Sequence, residues 1–373
     1  MIEAAERLAL VAERELEALV GVSTPSGDVA GAEEAVALCV AFLPPEAAPE
    51  RIPCSTTGHA PDLLGRLSGS GERRLLLVGH LDTVVAHDAH RALTRDGDRL
   101  LGSGTVDMKG GVALALGVMR ELAARPELYA EAAVLLVNDE EWRTVRFGHT
   151  ERFRGWDACL CFEAGEIDSE GRDAVIVRRK AAGTLEIQAH GRPAHSGSAP
   201  QKGRSALLAL AAISQRIAAA SDPGGPERLT AVPTILSSGE AFNVVPPEGR
   251  LVCDLRADDL AAFQPVLRAV PEEIDGVSID SALVRAWPGM DTGFATAALL
   301  EVAAERLGRP LVASERGGAS DASHIAQAVP ITVDGLGPRG GGAHTPNEWV
   351  GAKSLRTRAE VALALAAAIL GGR

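Results

Sequence analysis

The sequence predicts an α/β protein, a mixed, mostly parallel sheet with flanking helices, interrupted by an inserted ferredoxin-like α+β module. Two patterns predict the architecture. Strand-length apolar runs alternate with helical spacings over residues 1–178 and again over 288–373, as in a sheet built with crossover helices. After Arg178 the order becomes β-α-β-β-α-β, and residues 179–287 read as a split unit that folds as its own module. A third observation places the chemistry. Five short stretches carry a metal-type ligand, and four of them sit where an apolar strand ends, which is where open α/β sheets bind ligands.

The elements follow in order. Apolar positions at helical spacing, with Glu and Arg between them, predict a helix over residues 2–20. Ser23-Thr24-Pro25-Ser26-Gly27-Asp28 is a loop with capping chemistry, followed by an amphipathic helix over 32–42. Strands are expected at 62–67 and 74–79, with Ser68-Gly69-Ser70-Gly71 reading as a hairpin loop between them. A helix over 110–124 precedes a strand over 132–137. Within the module the expected order is strand 184–189, helix 205–220, strands 229–236 and 250–255, helix 258–270 and strand 276–284. A helix over 292–307, a buried strand around 330–333 and an Ala-rich helix over 354–370 complete the first domain.

Composition narrows the function. A chain of 373 residues can bury a large core, and its 46% hydrophobic and 23% charged content is that of a globular enzyme. Aromatics are only 3%, so that core must be built from Ala, Leu and Val. A net charge of −13 argues against nucleic acid or an anionic membrane as partner. The N-terminal stretch lacks a signal-peptide pattern, and no apolar stretch reaches the roughly 18–20 charge-poor residues of a membrane span. Cys39, Cys54, Cys159, Cys161 and Cys253 are widely spread and odd in number. They read as free thiols of a reducing, cytoplasmic compartment in preference to a disulfide framework or thiolate metal site.

The ligand-bearing stretches are Gly79-His80-Leu81-Asp82, Gly104-Thr105-Val106-Asp107, Asp139-Glu140-Glu141, Phe162-Glu163 and Ala343-His344-Thr345. Each signal is weak alone, since a His-x-Asp or a Glu-Glu doublet is usually surface charge. Together, two imidazoles and several carboxylates converging on strand ends make a ligand set for a pair of divalent cations, hence a two-metal hydrolase. Gly102, Gly104, Gly110 and Gly111 let backbone approach Asp107 closely. Asp82 lies two residues beyond His80 and, in extended chain, would face the same way and orient the imidazole. The side chains of Glu140 and Glu141 diverge in extended backbone, which suits one to bind metal and the other to carry the proton of the attacking water.

These motifs, with Gly102-Ser103-Gly104-Thr105-Val106-Asp107-Met108-Lys109-Gly110-Gly111, resemble the M20 metallopeptidase family. The resemblance continues through Gly191-Arg192-Pro193-Ala194-His195-Ser196, Asn243-Val244-Val245-Pro246, Asp254-Leu255-Arg256 and Gly317-Gly318-Ala319-Ser320-Asp321. It implies a zinc peptidase-like fold and two Zn²⁺ per chain, for which Co²⁺ can substitute. His80, Asp107 and Glu163 would hold one ion; Asp107, Glu141 and His344 would hold the other. Glu140 would be the general base, and Asp82, orienting His80, is counted with it among the catalytic residues. The inserted module would act as lid and homodimerisation unit, His195 would reach the partner's site as oxyanion donor, and Arg256 would clasp a substrate carboxylate. Asn243 and Gly318 would add substrate contacts. The implied substrate is a small peptide or N-acyl amino acid with a free C-terminal carboxylate, cleaved in carboxypeptidase fashion. A biosynthetic deacylase of acetylated or succinylated amino acids is the alternative within the class, and an inactive metal-stabilised binding protein the alternative outside it. The sequence departs from the family pattern after Glu141, where Trp142-Arg143 and a basic run to Arg154 replace a small Gly-Ser turn.

Overall fold

Leu75, Leu76, Leu77 and Val78 are consecutive and wholly buried, with no polar alternation, as expected of a strand covered on both faces. In the computed structural model, which describes residues 2–371, this strand (Arg74–His80) lies inside a six-stranded sheet. The order across that sheet is Ala48–Ile52, Asp62–Ser68, Glu131–Val137, Arg74–His80, Ala158–Cys161 and Ile331–Val333. The last four run parallel, and the first two are antiparallel additions at one edge. Helices Ile2–Val20, Gly110–Ala123 and Ala352–Leu370 pack on one another, and the latter two reach the sheet. Their joint core is aliphatic, with Leu16, Leu19, Val112, Leu116, Ala359 and Leu365 all fully buried.

The expected hairpin across residues 68–71 is corrected by this order. Strands Asp62–Ser68 and Arg74–His80 do not pair; Glu131–Val137 lies between them and bonds to both. The glycines serve a different purpose from a tight turn. A Cβ on Gly69 would lie 2.2 Å from the Tyr129 carbonyl oxygen, and one on Gly71 would lie 2.6 Å from Leu128 carbonyl carbon. Gly69 N–H donates to Ala130 O and Gly71 N–H to Tyr129 O. The loop wraps closely around the segment that feeds the intervening strand.

The chain divides into two compact units. One takes the chain up to Arg178, Asp291–Arg316 and the chain from Ser320 onward; the other takes Arg179–Met290 with Gly317–Ala319. The second unit holds an antiparallel sheet ordered Thr230–Ser238, Glu248–Ala257, Ala181–His190, Val277–Trp287 and Glu273–Ile274. Its β-α-β-β-α-β connectivity is the ferredoxin-like order the sequence predicted. Pro233 falls in the edge strand, beside a register shift, where its missing N–H leaves no ladder bond unmade. The single helix expected over 258–270 is instead a short 3₁₀ turn, Leu260–Phe263, followed by Gln264–Ala269. Pro265 stands in the first turn of that helix, where the absent N–H has no intrahelical acceptor to lose.

Candidate metal centre

Apolar strand ends deliver two of the first three candidate ligands, and a turn delivers the third. Strand Arg74–His80 finishes on His80, which is almost fully buried, and Glu163 follows strand Ala158–Cys161 by two residues. Asp107 sits in the turn Thr105–Lys109 with extended backbone (φ −129°, ψ 87°), just ahead of helix Gly110–Ala123. A Cβ on Gly111 would fall 1.8 Å from the carbonyl oxygen of Phe162, so glycine alone lets the helix start against the strand end that carries Glu163. His80 Nε2 lies 3.1 Å from Asp107 Oδ1 and 3.9 Å from Glu163 Oε1.

The second group shares Asp107. His344 Nε2 lies 3.1 Å from Asp107 Oδ2 and 3.2 Å from Glu141 Oε2. His344 arrives on the loop between short strands Gly340–Gly341 and Trp349–Gly351, in left-handed backbone (φ 64°) that few non-glycine residues adopt. In each triad, His80–Asp107–Glu163 and Asp107–Glu141–His344, the ligand atoms lie within 4.8 Å of one another. Asp107 presents one oxygen to each.

This donor set fits divalent cations. The donors are imidazole nitrogens and carboxylate oxygens, with no thiolate among them. His80 Nδ1 is committed to Asp82, 3.0 Å from its backbone oxygen and 3.4 Å from Oδ1, which leaves Nε2 facing Asp107 and Glu163. Glu141 Oε1 is buried without a hydrogen-bond partner among the described residues, a cost a bound cation would remove. The field points the same way. Burial works against ionisation of Asp107, but hydrogen bonds from His344 and His80 outweigh it and hold the carboxyl below the usual range. His344 is pushed up to about 10 by Asp107 and Glu141. Burial opposes a charge on His80, and its bonds to Asp107 and Asp82 overcome that. Carboxylates that hold protons on two imidazoles attract a divalent ion to the same place, in competition with those protons.

Glu140 and Glu141 are set by Asp82. Its Oδ1 and Oδ2 accept the backbone N–H groups of Glu140 and Glu141, each at 3.1 Å. The two side chains then diverge, Glu141 toward His344 and Glu140 into a region it shares with His80, Glu163 and Asp321. Burial pushes the Glu140 carboxyl well above its ordinary range, and the neighbouring acids add to that.

Two contributors were missed by the sequence reading. Glu348 accepts the N–H groups of Gly104 and Val106 at 2.8 Å and of Asp107 at 3.0 Å, so it shapes the turn that presents the shared ligand. Burial pushes it up to about 7, against those three bonds. Nothing in Asn347-Glu348-Trp349 marks it. The basic run after Glu141 also differs from the solvated charge its composition suggests. Arg143 is fully buried and ion-paired to Asp139 and Asp321.

The remaining candidates belong to the smaller unit. His195 and Asn243 lie on adjoining loops, joined where Ser196 N–H donates to Asn243 O at 2.9 Å. His195 Nδ1 accepts the N–H groups of Gly197 and Ser198, each at 3.1 Å. Arg256, on strand Glu248–Ala257, donates through Nε and Nη2 to the two oxygens of Asp254, each at 3.0 Å. Gly318 O accepts from Arg179 Nη1 at 2.8 Å.

Residues 76–368 match the family model described as peptidase family M20/M25/M40. The chain is similar to carboxypeptidase G2 of Pseudomonas sp. (strain RS-16), 26% identical over 94% of this chain and 87% of the relative. It is similar to a succinyl-diaminopimelate desuccinylase of Methylobacterium nodulans, 29% identical over 75% of this chain and 76% of the relative. Among solved structures, aminopeptidase PepT from Bacillus cereus superposes with a TM-score of 0.78 at 21% identity, covering 97% of this chain and 98% of that one. The match over residues 76–368, on a chain that brings together two His–carboxylate groups sharing Asp107, makes this chain a metal-dependent hydrolase of peptidase family M20/M25/M40.

Proposed function

We propose that the protein hydrolyses the amide bond of a small peptide or N-acyl amino acid that carries a free C-terminal carboxylate, using two Zn²⁺ per chain. The observation that carries this reading is the pair of triads sharing Asp107 with Glu140 next in sequence to a ligand. His80, Asp107 and Glu163 hold one ion, and Asp107, Glu141 and His344 the other; Co²⁺ can replace zinc. When bound, such a pair supplies Lewis acidity, making water nucleophilic near neutrality and polarising the scissile carbonyl. Glu140 takes the proton of the attacking water and delivers it to the leaving amine. Asp82 supports both functions, since it orients His80 and fixes the backbone of Glu140 and Glu141.

The smaller unit carries the remaining candidates. With Nδ1 of His195 accepting two backbone N–H groups, a neutral ring carries its proton on Nε2, which makes it a donor to a developing oxyanion. Asn243, on the adjoining loop, adds a polar contact, and Gly318 shapes the pocket. Arg256 clasps the substrate carboxylate by exchanging Asp254 for it, since the fork that holds Asp254 suits any carboxylate. We place this unit as lid and homodimer contact. The edge strand Thr230–Ser238 exposes Val232, Ile235 and Leu236, and helix Ala206–Ala219 exposes Leu208, apolar surface suited to a second copy. Mixing His195→Ala with Glu140→Gln protein under subunit exchange is expected to recover activity, because one mixed site then holds both residues. No recovery after demonstrated exchange would remove His195 from the partner's site. Buried free thiols at Cys39, Cys159, Cys161 and Cys253 support a cytoplasmic location. No helix among the described residues is long and apolar enough to cross a membrane.

The test of substrate class is product identification from a mixed library of dipeptides and N-acyl amino acids, each with a C-terminally amidated counterpart. The similarity to carboxypeptidase G2 favours the peptide reading, and that to a desuccinylase favours a biosynthetic deacylase. Cleavage confined to succinylated or acetylated amino acids would establish the second. Arg256→Ala is expected to raise KM for free-carboxylate substrates by about 30-fold and to leave amidated analogues little changed. That corresponds to roughly 2 kcal/mol, the low end for removing one partner of a charge pair, chosen because Arg256 is partly exposed. Equal effects on both substrate forms would remove Arg256 from carboxylate recognition.

A further inference from the structure

The basic segment after Glu141 contains a buried arginine. Arg143 donates through Nη1 to Asp139 Oδ1 at 2.7 Å and through Nη2 to Asp321 Oδ1, and all three side chains are almost wholly inaccessible. The Phe147 ring covers the guanidinium, its centroid 4.5 Å away. Phe147 in turn packs edge-on against His149, which bonds to buried Asp62 at 2.8 Å. Arg143, Phe147 and His149 therefore turn inward as a packed set, while Thr144, Val145, Arg146 and Gly148 between them stay exposed.

Asp139 links that packed set to the proposed chemistry. It immediately precedes Glu140, and its second oxygen accepts the N–H and the hydroxyl of Thr56 at 2.9 and 2.7 Å. On the other flank, Asp82 holds the N–H groups of Glu140 and Glu141. The turn is thus fixed at its backbone by Asp82 and at its side chain by Thr56 and Arg143. Asp321 opens the short helix Asp321–Ile325, and its neighbour Ser320 bonds to Asp334 at 2.6 Å, at the end of strand Ile331–Val333. A planar guanidinium bridges two carboxylates with fixed directions, which a lysine cannot reproduce. It is also a permanent cation among Asp82, Asp139, Glu140 and Asp321.

We propose that Arg143 is a positioning residue for Glu140, holding the 139–141 turn against the Asp321 segment so that the Glu140 carboxylate is aimed at the water it deprotonates. This rests on the reading of Glu140 as proton carrier. The test measures kcat, KM and bound metal for Arg143→Lys and for Asp321→Asn, each alone and combined with Glu140→Gln. The expected result is a fall in kcat of about 10- to 100-fold, the usual scale for residues that orient a catalytic group. KM and metal content should stay within about twofold, and neither substitution should lower kcat further once Glu140 is Gln. The same fractional loss in both backgrounds, a loss of metal, or unfolding of both variants would make Arg143 a structural cross-link and overturn the proposal. Full turnover in Glu140→Gln alone would instead overturn the role of Glu140, and the proposal with it.

Discussion

Glu140→Gln is expected to keep both metals and near-normal substrate affinity while losing about 10²- to 10⁴-fold in turnover, the scale of general acid–base catalysis. The amide preserves the size of the side chain and leaves the Glu140 N–H on Asp82, so the turn should keep its shape. What disappears is the group that accepts and returns a proton. Glu141→Gln should behave differently, because Glu141 touches His344 and belongs to the second triad. Its expected effect is weaker metal occupancy. Elemental analysis together with steady-state kinetics separates the two, and identical metal content and kinetics in both variants would show the roles to be wrongly divided.

Complete loss of activity is the expected result of chelation, with recovery on addition of Zn²⁺ or Co²⁺. The two candidate triads comprise five residues, four of them around the shared Asp107, so fully active protein should contain two ions per chain. His344 is half exposed and His80 almost fully buried. The ion at His344 should therefore leave first, giving a two-step titration with chelator. Full activity with one ion or none would refute the two-metal reading.

The residues of the two candidate triads were legible where they stand beside a feature that sequence shows directly, and His344 only through the resemblance. His80 and Glu163 end apolar runs, Asp107 lies among glycines, and Glu141 follows a strand of unbroken hydrophobicity. Helices were legible too, Ile2–Val20 from its helical spacing of apolar residues and Gly110–Ala123 as an apolar run opened by glycines. Partners distant in the chain were not. Glu348 meets Gly104, Val106 and Asp107 from about 240 residues away, and Arg143 meets Asp321 from about 180. Both look like ordinary charged residues locally, and only the fold reveals that they are buried and paired. Strand Ala48–Ile52 escaped notice because Pro49, Glu50 and Arg51 read as loop, and an exposed edge tolerates them. Strand order was illegible at residues 68–71, where glycines that permit close packing have the same appearance as glycines that permit a turn.

That strand order also has a consequence for synthesis on the ribosome. Strands Asp62–Ser68 and Arg74–His80 emerge first, and the strand that belongs between them begins about 50 residues later. At roughly 5–20 residues per second, the nascent chain carries two unsatisfied apolar edges for about 3 to 10 s. Their separation by only five residues, 69–73, invites the very hairpin that the finished protein lacks. In the finished fold the glycine loop closes on the later-arriving backbone instead, with Gly69 N–H on Ala130 O and Gly71 N–H on Tyr129 O. Bulkier residues at Gly69 or Gly71 should therefore appear first as poor yield from translation, before any defect in the mature enzyme is measurable.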